Sequence, residues 1–258
     1  MVSDTELRGE AISPPELLEK GNSWLRISHP ELTADLLRER LKGADILLAD
    51  LDDTDAPSPA KEIARRLMKT ASFNPKILNW ARDTAWGLVK NGKRAESGLW
   101  EKLLKDCRRD KKLEERLRKI IDEYTSRWTL NVPYPGVAEF YQALSCQKIY
   151  ISRNIEEVLA PFAKTFGFSR VFPERFEKLE ELQKILAENP QAKRFIVRGD
   201  SYEDGQITSI LEEKQRRGEI DDVVSICVCQ KRQNGDFPAD IDTSTDQTLL
   251  SEILKGKL

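Results

Sequence analysis

Just before Asp50 the polar residues thin out and four apolar ones run together, Ile46-Leu47-Leu48-Ala49. A short apolar run without polar alternation is the pattern of a strand covered on both faces, as in a parallel sheet. The pattern returns at Lys148–Ser152, Arg170–Phe172, Phe195–Gly199 and Val223–Val228. Helical spacing fills the intervals at 155–166, 178–188 and 207–217, and Thr245–Lys255 reads as a last amphipathic helix. Short strands alternating with helical crossovers predict an α/β protein with a doubly wound, parallel, Rossmann-like sheet.

Between the first two strands the period is helical throughout. Ile63, Leu67 and Met68 recur at helical spacing, as do Leu78, Ala81, Ala85 and Leu88, then Leu99, Leu103 and Leu104, then Leu113, Leu117, Ile120 and Ile121. Ser58-Pro59 and Asn74-Pro75 each read as an N-cap followed by a first helical residue. The spacing predicts an all-helical insert over 59–129, in three or four helices. The turn Pro133-Tyr134-Pro135-Gly136 marks the return to β/α alternation. The expected organisation is a helical N-terminal extension over 1–43, with Pro30 opening a helix through Lys42, and an α/β core over 44–58 and 130–258.

Charge changes this picture in one place. The net charge of -2 gives no global reason to expect nucleic acid as a partner or an anionic membrane surface. Yet residues 61–128 hold 19 Lys/Arg against 10 Asp/Glu, so the insert is basic and the remainder acidic. That excess is either a set of solvated helix faces or a field that draws in an anionic substrate. No apolar run approaches the roughly 20 residues of a membrane span, and Met1–Glu10 lacks the apolar centre of a signal peptide. A cytoplasmic protein is expected. The four cysteines form no CxxC knuckle and the only histidine is His29, so neither zinc nor histidine chemistry is expected. Cys227 and Cys229 alternate in a strand, which predicts buried free thiols on one sheet face.

Chemistry must then rest on carboxylates, hydroxyls and amines. In a doubly wound sheet ligands bind outside the carboxyl ends of the strands, and polar residues collect there: Asp50 with Asp52, Ser152, and Asp200 with Asp204. One carboxylate of the first pair can attack phosphorus, and the second can protonate the leaving oxygen and later activate water. Clustered carboxylates resist ionising together; a divalent cation relieves the repulsion, and a small set of oxygen ligands favours Mg²⁺. Ser152 precedes Asn154, which with Glu157 reads as a capping box, so hydroxyl and helix N-terminus together make a phosphate seat. Lys178, Lys184 and Lys164 are the candidate cations, Lys178 the best placed.

These residues resemble the haloacid dehalogenase (HAD) superfamily. Asp50-Leu51-Asp52-Asp53-Thr54 is similar to its first motif, DxDxT, and Ser152 to the Ser/Thr of the second. Lys178 is assigned to the third, and Gly199-Asp200-Ser201-Tyr202-Glu203-Asp204 resembles the fourth, GDxxxD. The resemblance covers 44–254, and the insert has the size and place of that superfamily's C1 cap. It implies Asp50 as nucleophile and Mg²⁺ ligand, and Asp52 as general acid/base that also binds metal through its backbone carbonyl. Thr54 would brace the loop at the phosphate, Ser152 and Lys178 would hold the phosphoryl group, and Asp200 and Asp204 would complete the metal site. The implied activity is a phosphatase on a small phosphorylated metabolite.

Two stretches depart from the pattern. Asp55 stands where an aliphatic residue is usual, followed by the stiff Ala56-Pro57-Ser58-Pro59. Arg153 follows the second-motif serine, able to contact substrate phosphate or to face solvent. Arg82, Lys90, Lys93, Arg94 and the tryptophans Trp80, Trp86 and Trp100 are the loose candidates for substrate selection in the insert. A silent HAD-fold binding protein, or a phosphotransferase or mutase using the same residues, is the alternative expectation.

Overall fold

The computed structural model describes residues 16–70, 74–82, 94–131, 133–174, 178–229 and 237–258. Its centre is one eight-stranded sheet in the order β1-β2-β8-β7-β6-β3-β4-β5. The strands are β1 (Glu16–Lys20), β2 (Ser23–Ile27), β3 (Ile46–Ala49), β4 (Gln147–Ile151), β5 (Arg170–Phe172), β6 (Arg194–Gly199), β7 (Asp222–Cys229) and β8 (Ile241–Ser244). All pairings from β8 to β5 are parallel, and only β1 and β2 run antiparallel to their neighbours. The helices are α1 (Ala34–Lys42), α2 (Pro59–Thr70), α3 (residues 75–82), α4 (Arg94–Arg108), α5 (Lys111–Asn131), α6 (Val137–Gln142), α7 (Glu156–Phe166), α8 (Lys178–Glu188), α9 (Tyr202–Arg216) and α10 (Thr248–Leu254).

Strand alternation divides the core in two. Leu47, Ala49, Tyr150, Ile196, Val224 and Ile226 face α1, α6, α7 and α10 through Leu37, Leu41, Phe140, Phe162 and Leu250. Their neighbours Ile46, Leu48, Ile149, Ile151, Phe195 and Val197 face α8 and α9 through Leu182, Ile185, Ile207 and Leu211. Both faces are covered, which is why β3 reads as an unbroken apolar run.

The N-terminal region corrects the helical expectation. Residues 16–27 form a hairpin turning at Gly21, whose φ is +62°, and β2 adds the pair to the sheet through β8. In β2, Ser23, Leu25 and Ile27 are buried and alternate with half-buried Trp24 and Arg26; this period of two spans only five residues, too short to stand out before a partner strand is known. The helix expected from Pro30 starts at Ala34, because Thr33 is extended and its side chain accepts from Leu36 N at 3.3 Å. β8 was missed because Asp242 and Ser244, both buried, break its apolar signal.

Within the insert, α2 and α4 pack against α5, and α5 packs against α7 of the core. Ile63, Leu67, Leu103, Leu104, Leu113, Leu117, Ile120 and Ile121 are buried as their spacing predicts, whereas Leu78 is exposed. Trp80 and Trp100 are also buried, so both act in packing. Ala85, Trp86, Leu88, Lys90 and Lys93 lie outside the described residues, as do the side chains of Arg94 and Leu99. No helix among the described residues is long and apolar enough to cross a membrane.

Candidate active site

β3, β4 and β6 are adjacent and parallel, with Ala49 level with Tyr150 and Arg198. That register delivers the residues following each strand to one edge of the sheet. Asp50 leaves β3 with its amide donating to Arg198 O at 3.0 Å, and its own Oδ1 accepts from Leu51 N at 2.7 Å. Lys178, the first residue of α8, has its side chain almost fully buried. Its Nζ donates to Asp50 Oδ2 and to Asp204 Oδ1, both at 2.8 Å. Burial alone would push this amine down, but the two carboxylates outweigh it and hold it charged.

Asp204 sits in the first turn of α9, where its Oδ2 accepts from Ser201 Oγ at 2.6 Å and Ser201 N at 3.2 Å. A Cβ on Gly199 would overlap that carboxylate, so the close approach of β6 and α9 requires glycine there. Asp200 lies between them, its carboxyl pushed well above the ordinary range by burial and then by the charges of Asp50 and Asp204. One carboxylate oxygen from each of Asp50, Asp200 and Asp204 lies within 4.8 Å of the others. These hard oxygen donors suit Mg²⁺; burial, and after it the charge of Asp50, also raises Asp204, and a divalent cation would remove the repulsive part of both shifts.

Asp52 is set apart from that cluster. Its Oδ1 accepts from Ser58 Oγ at 2.8 Å and its Oδ2 from Asn154 Nδ2 at 2.7 Å. Burial, then the charge of Asp50, pushes its carboxyl up to about 7, with the Ser58 hydrogen bond pulling back. A carboxyl titrating there can both give and take a proton near neutrality. The loop is shaped by Asp53, whose φ of +54° is unusual for a non-glycine residue. Its side chain accepts from Ser58 N at 3.1 Å and from Lys61 Nζ at 3.0 Å.

The other expected residues are placed as follows. Ser152 is fully buried at the end of β4, its Oγ accepting from Asn154 N at 3.2 Å. Thr54 is fully buried, and its Oγ1 has no hydrogen-bond partner among the described residues. Arg153 pairs with Glu203 of α9. Lys184 pairs with Glu181 at 2.9 Å and Lys164 is exposed on α7, so neither joins the cluster. The capping box expected at Asn154 is absent: Ile155 is the residue before α7, and the Asn154 side chain turns to Asp52 instead.

Asp55, unexplained by the sequence, is fully buried and faces inward. It accepts from Tyr141 Oη at 2.8 Å, and also from Tyr150 Oη and Arg198 Nη1. Arg198, equally buried, donates as well to Gln247 Oε1 at 2.6 Å and Thr54 O at 3.1 Å. Gln247 Nε2 donates to Thr54 O at 3.0 Å. Burial would lower the guanidinium, but Asp55 holds it charged. The residues that close the Asp50–Thr54 loop are thereby tied to the strand that carries Asp200. A fully buried charge pair has no periodic signature, and Arg198 inside an apolar strand was its one visible trace.

No protein-family profile and no curated protein matches the sequence. Among solved structures, cytosolic 5'-nucleotidase IIIB bound to cytidine superposes with a TM-score of 0.51 at 12% identity, over 90% of this chain and 94% of that one. A haloacid dehalogenase-like hydrolase from Burkholderia xenovorans gives 0.49 at 13% identity, over 83% and 98%. The magnesium-bound HAD-hydrolase YfnB of Bacillus subtilis gives 0.47 at 13%, over 82% and 99%. The likeness is one of fold: the chain shares the α/β fold of cytosolic 5'-nucleotidase IIIB.

Proposed function

We propose that the protein is a Mg²⁺-dependent phosphatase that hydrolyses a small phosphorylated metabolite through an aspartyl-phosphate on Asp50. The observation that carries this reading is the Lys178 ammonium held between Asp50 and Asp204, three residues from distant parts of the chain. Asp50 supplies the attacking oxygen; as its bond to phosphorus forms, the bond to the leaving oxygen breaks. Asp52, held by Ser58 and Asn154, gives that oxygen its proton, then takes one from the water that hydrolyses the aspartyl-phosphate. Lys178 offsets charge on Asp50 and the phosphoryl group, while Ser152 and Thr54 supply hydroxyls toward it. Asp50, Asp200 and Asp204, with the Asp52 carbonyl, would hold Mg²⁺, which when bound neutralises charge on the phosphoryl oxygens. Arg153, paired with Glu203, contributes positive charge at the rim. The core over 44–58 and 130–258 carries this chemistry, and the helical insert over 59–129 acts as a basic cap that selects the substrate.

The test is hydrolysis of a generic aryl phosphate with Mg²⁺ and after chelation. Turnover is expected to fall at least about 100-fold without the metal and to return on adding Mg²⁺. Absence of metal-dependent turnover on this compound and on a broad panel of phosphometabolites overturns the reading in favour of a binding protein. Lys178→Met is expected to lower kcat/KM by about 10²–10³-fold, the usual consequence of deleting one preorganised electrostatic group. Circular dichroism and a thermal melt on the same variant separate that loss from unfolding. A variant within tenfold of wild type sinks the role given to Lys178.

A further inference from the structure

We propose that Cys227, Cys229 and Asp242 form a second metal site, selective for a thiophilic divalent cation of the zinc class. It is independent of the phosphatase reading. Cys227 and Cys229 are successive inward residues of β7, both buried and neither in a disulfide, with their Sγ atoms 3.8 Å apart. Two thiolates on a tetrahedral zinc, each about 2.3 Å from the metal, stand about 3.8 Å from one another. In the parallel pairing of β7 with β8, Cys227 is level with Asp242, so the carboxylate rises from the neighbouring strand on the same face. A carboxylate oxygen and the two sulfurs all lie within 4.8 Å of one another.

Asp242 supplies the second, separate indication. Its side chain is 5% exposed, and its Oδ1 has no hydrogen-bond partner among the described residues. A buried carboxylate oxygen without a partner is costly, and a cation answers that cost. Its other oxygen, Oδ2, accepts from Arg26 Nε at 3.0 Å, Arg26 being level with Asp242 across the β2–β8 pairing. An outer partner of this kind orients a ligating carboxylate. Charge also balances: two thiolates and one carboxylate carry -3, and a divalent cation with the Arg26 guanidinium carries +3. Trp24, Phe237 and Ala239 pack around the sulfurs and give the apolar surroundings that favour such a neutral assembly.

The donor set distinguishes this place from the carboxylate cluster at Asp50. Sulfur ligands select zinc-like ions over Mg²⁺, and three protein ligands leave the fourth tetrahedral position to water. Binding must release the two thiol protons, so affinity should rise with pH. The site would join β7, β8 and the β1–β2 hairpin.

The experiment titrates reduced, full-length protein with Co²⁺ in excess Mg²⁺, which keeps the oxygen site filled. One equivalent is expected to give thiolate-to-cobalt absorption in the near ultraviolet with tetrahedral visible bands, both displaced by Zn²⁺. The melting temperature should rise with Zn²⁺. Asp50→Asn should retain the absorption, Asp242→Asn should weaken it and Cys227→Ser should lose it. Lack of thiolate absorption in the wild type overturns the proposal, and so does undiminished absorption in Cys227→Ser/Cys229→Ser, which would implicate Cys107 or Cys146. If the serine variants do not fold, the wild-type titration and Asp242→Asn decide.

Discussion

Asp50→Asn is expected to reduce kcat by at least about 10⁴-fold, the scale seen when a covalent nucleophile is removed, while the protein remains folded. The amide is isosteric with the carboxylate, and its oxygen can still accept from Leu51 N, as Asp50 Oδ1 does at 2.7 Å. What is lost is the nucleophilic oxygen and one of the two anionic partners of Lys178. The fold should tolerate that loss, because Asp204 still neutralises the ammonium at 2.8 Å and one source of repulsion with Asp200 disappears. Steady-state hydrolysis of an aryl phosphate with saturating Mg²⁺, beside a thermal melt, checks both halves. Turnover within tenfold of wild type would exclude Asp50 as the nucleophile. Full loss of turnover together with a collapsed melt would instead assign Asp50 a structural role.

Arg198→Met is expected to destabilise the protein by about 3–5 kcal/mol, the cost of leaving one member of a buried ion pair without its partner. The variant strands Asp55, which is fully buried, and removes donors to Thr54 O and Gln247 Oε1. Against a whole-domain stability of about 5–15 kcal/mol, that is a large fraction, so urea unfolding should show a clearly lower midpoint. The pair need not be a net source of stability, since burying two charges costs about as much as their attraction returns. Asp55→Leu/Arg198→Met should therefore recover part of the loss, and the double-mutant cycle should give a coupling above about 1 kcal/mol. A cost below about 1 kcal/mol for Arg198→Met, or an additive double variant, would mean that the network is not energetically closed.

Some of this architecture is legible in one dimension because it repeats. β3, β4, β6 and β7 are apolar runs of parallel-sheet type, and α2, α4 and α5 carry helical spacing, so they could be found without a partner in view. The polar residues after β3, β4 and β6 could be grouped because a parallel sheet brings its strand ends to one edge. Elements whose stability comes from a distant partner left weaker traces. β8 hides behind buried Asp242 and Ser244, and the five-residue β2 shows its alternation only beside β8. Asn154 read as a helix cap because a local rule fits it; its actual partner, Asp52, is 102 positions away.

The alternation of β3, β4, β5, β6 and β7 with helices, the edge at which polar residues gather and the candidacy of Asp50 and Asp52 follow from residue pattern alone, since backbone periodicity and strand polarity are local. Folding in three dimensions added the partners. Lys178 was one of three possible lysines until its position between Asp50 and Asp204 separated it from Lys164 and Lys184. Asp55 was an unexplained third acid until Arg198, Tyr141 and Tyr150 closed around it. Charge pairing and desolvation act between groups far apart in the chain, and the strength of each depends on distance and burial, quantities that no run of neighbouring residues contains.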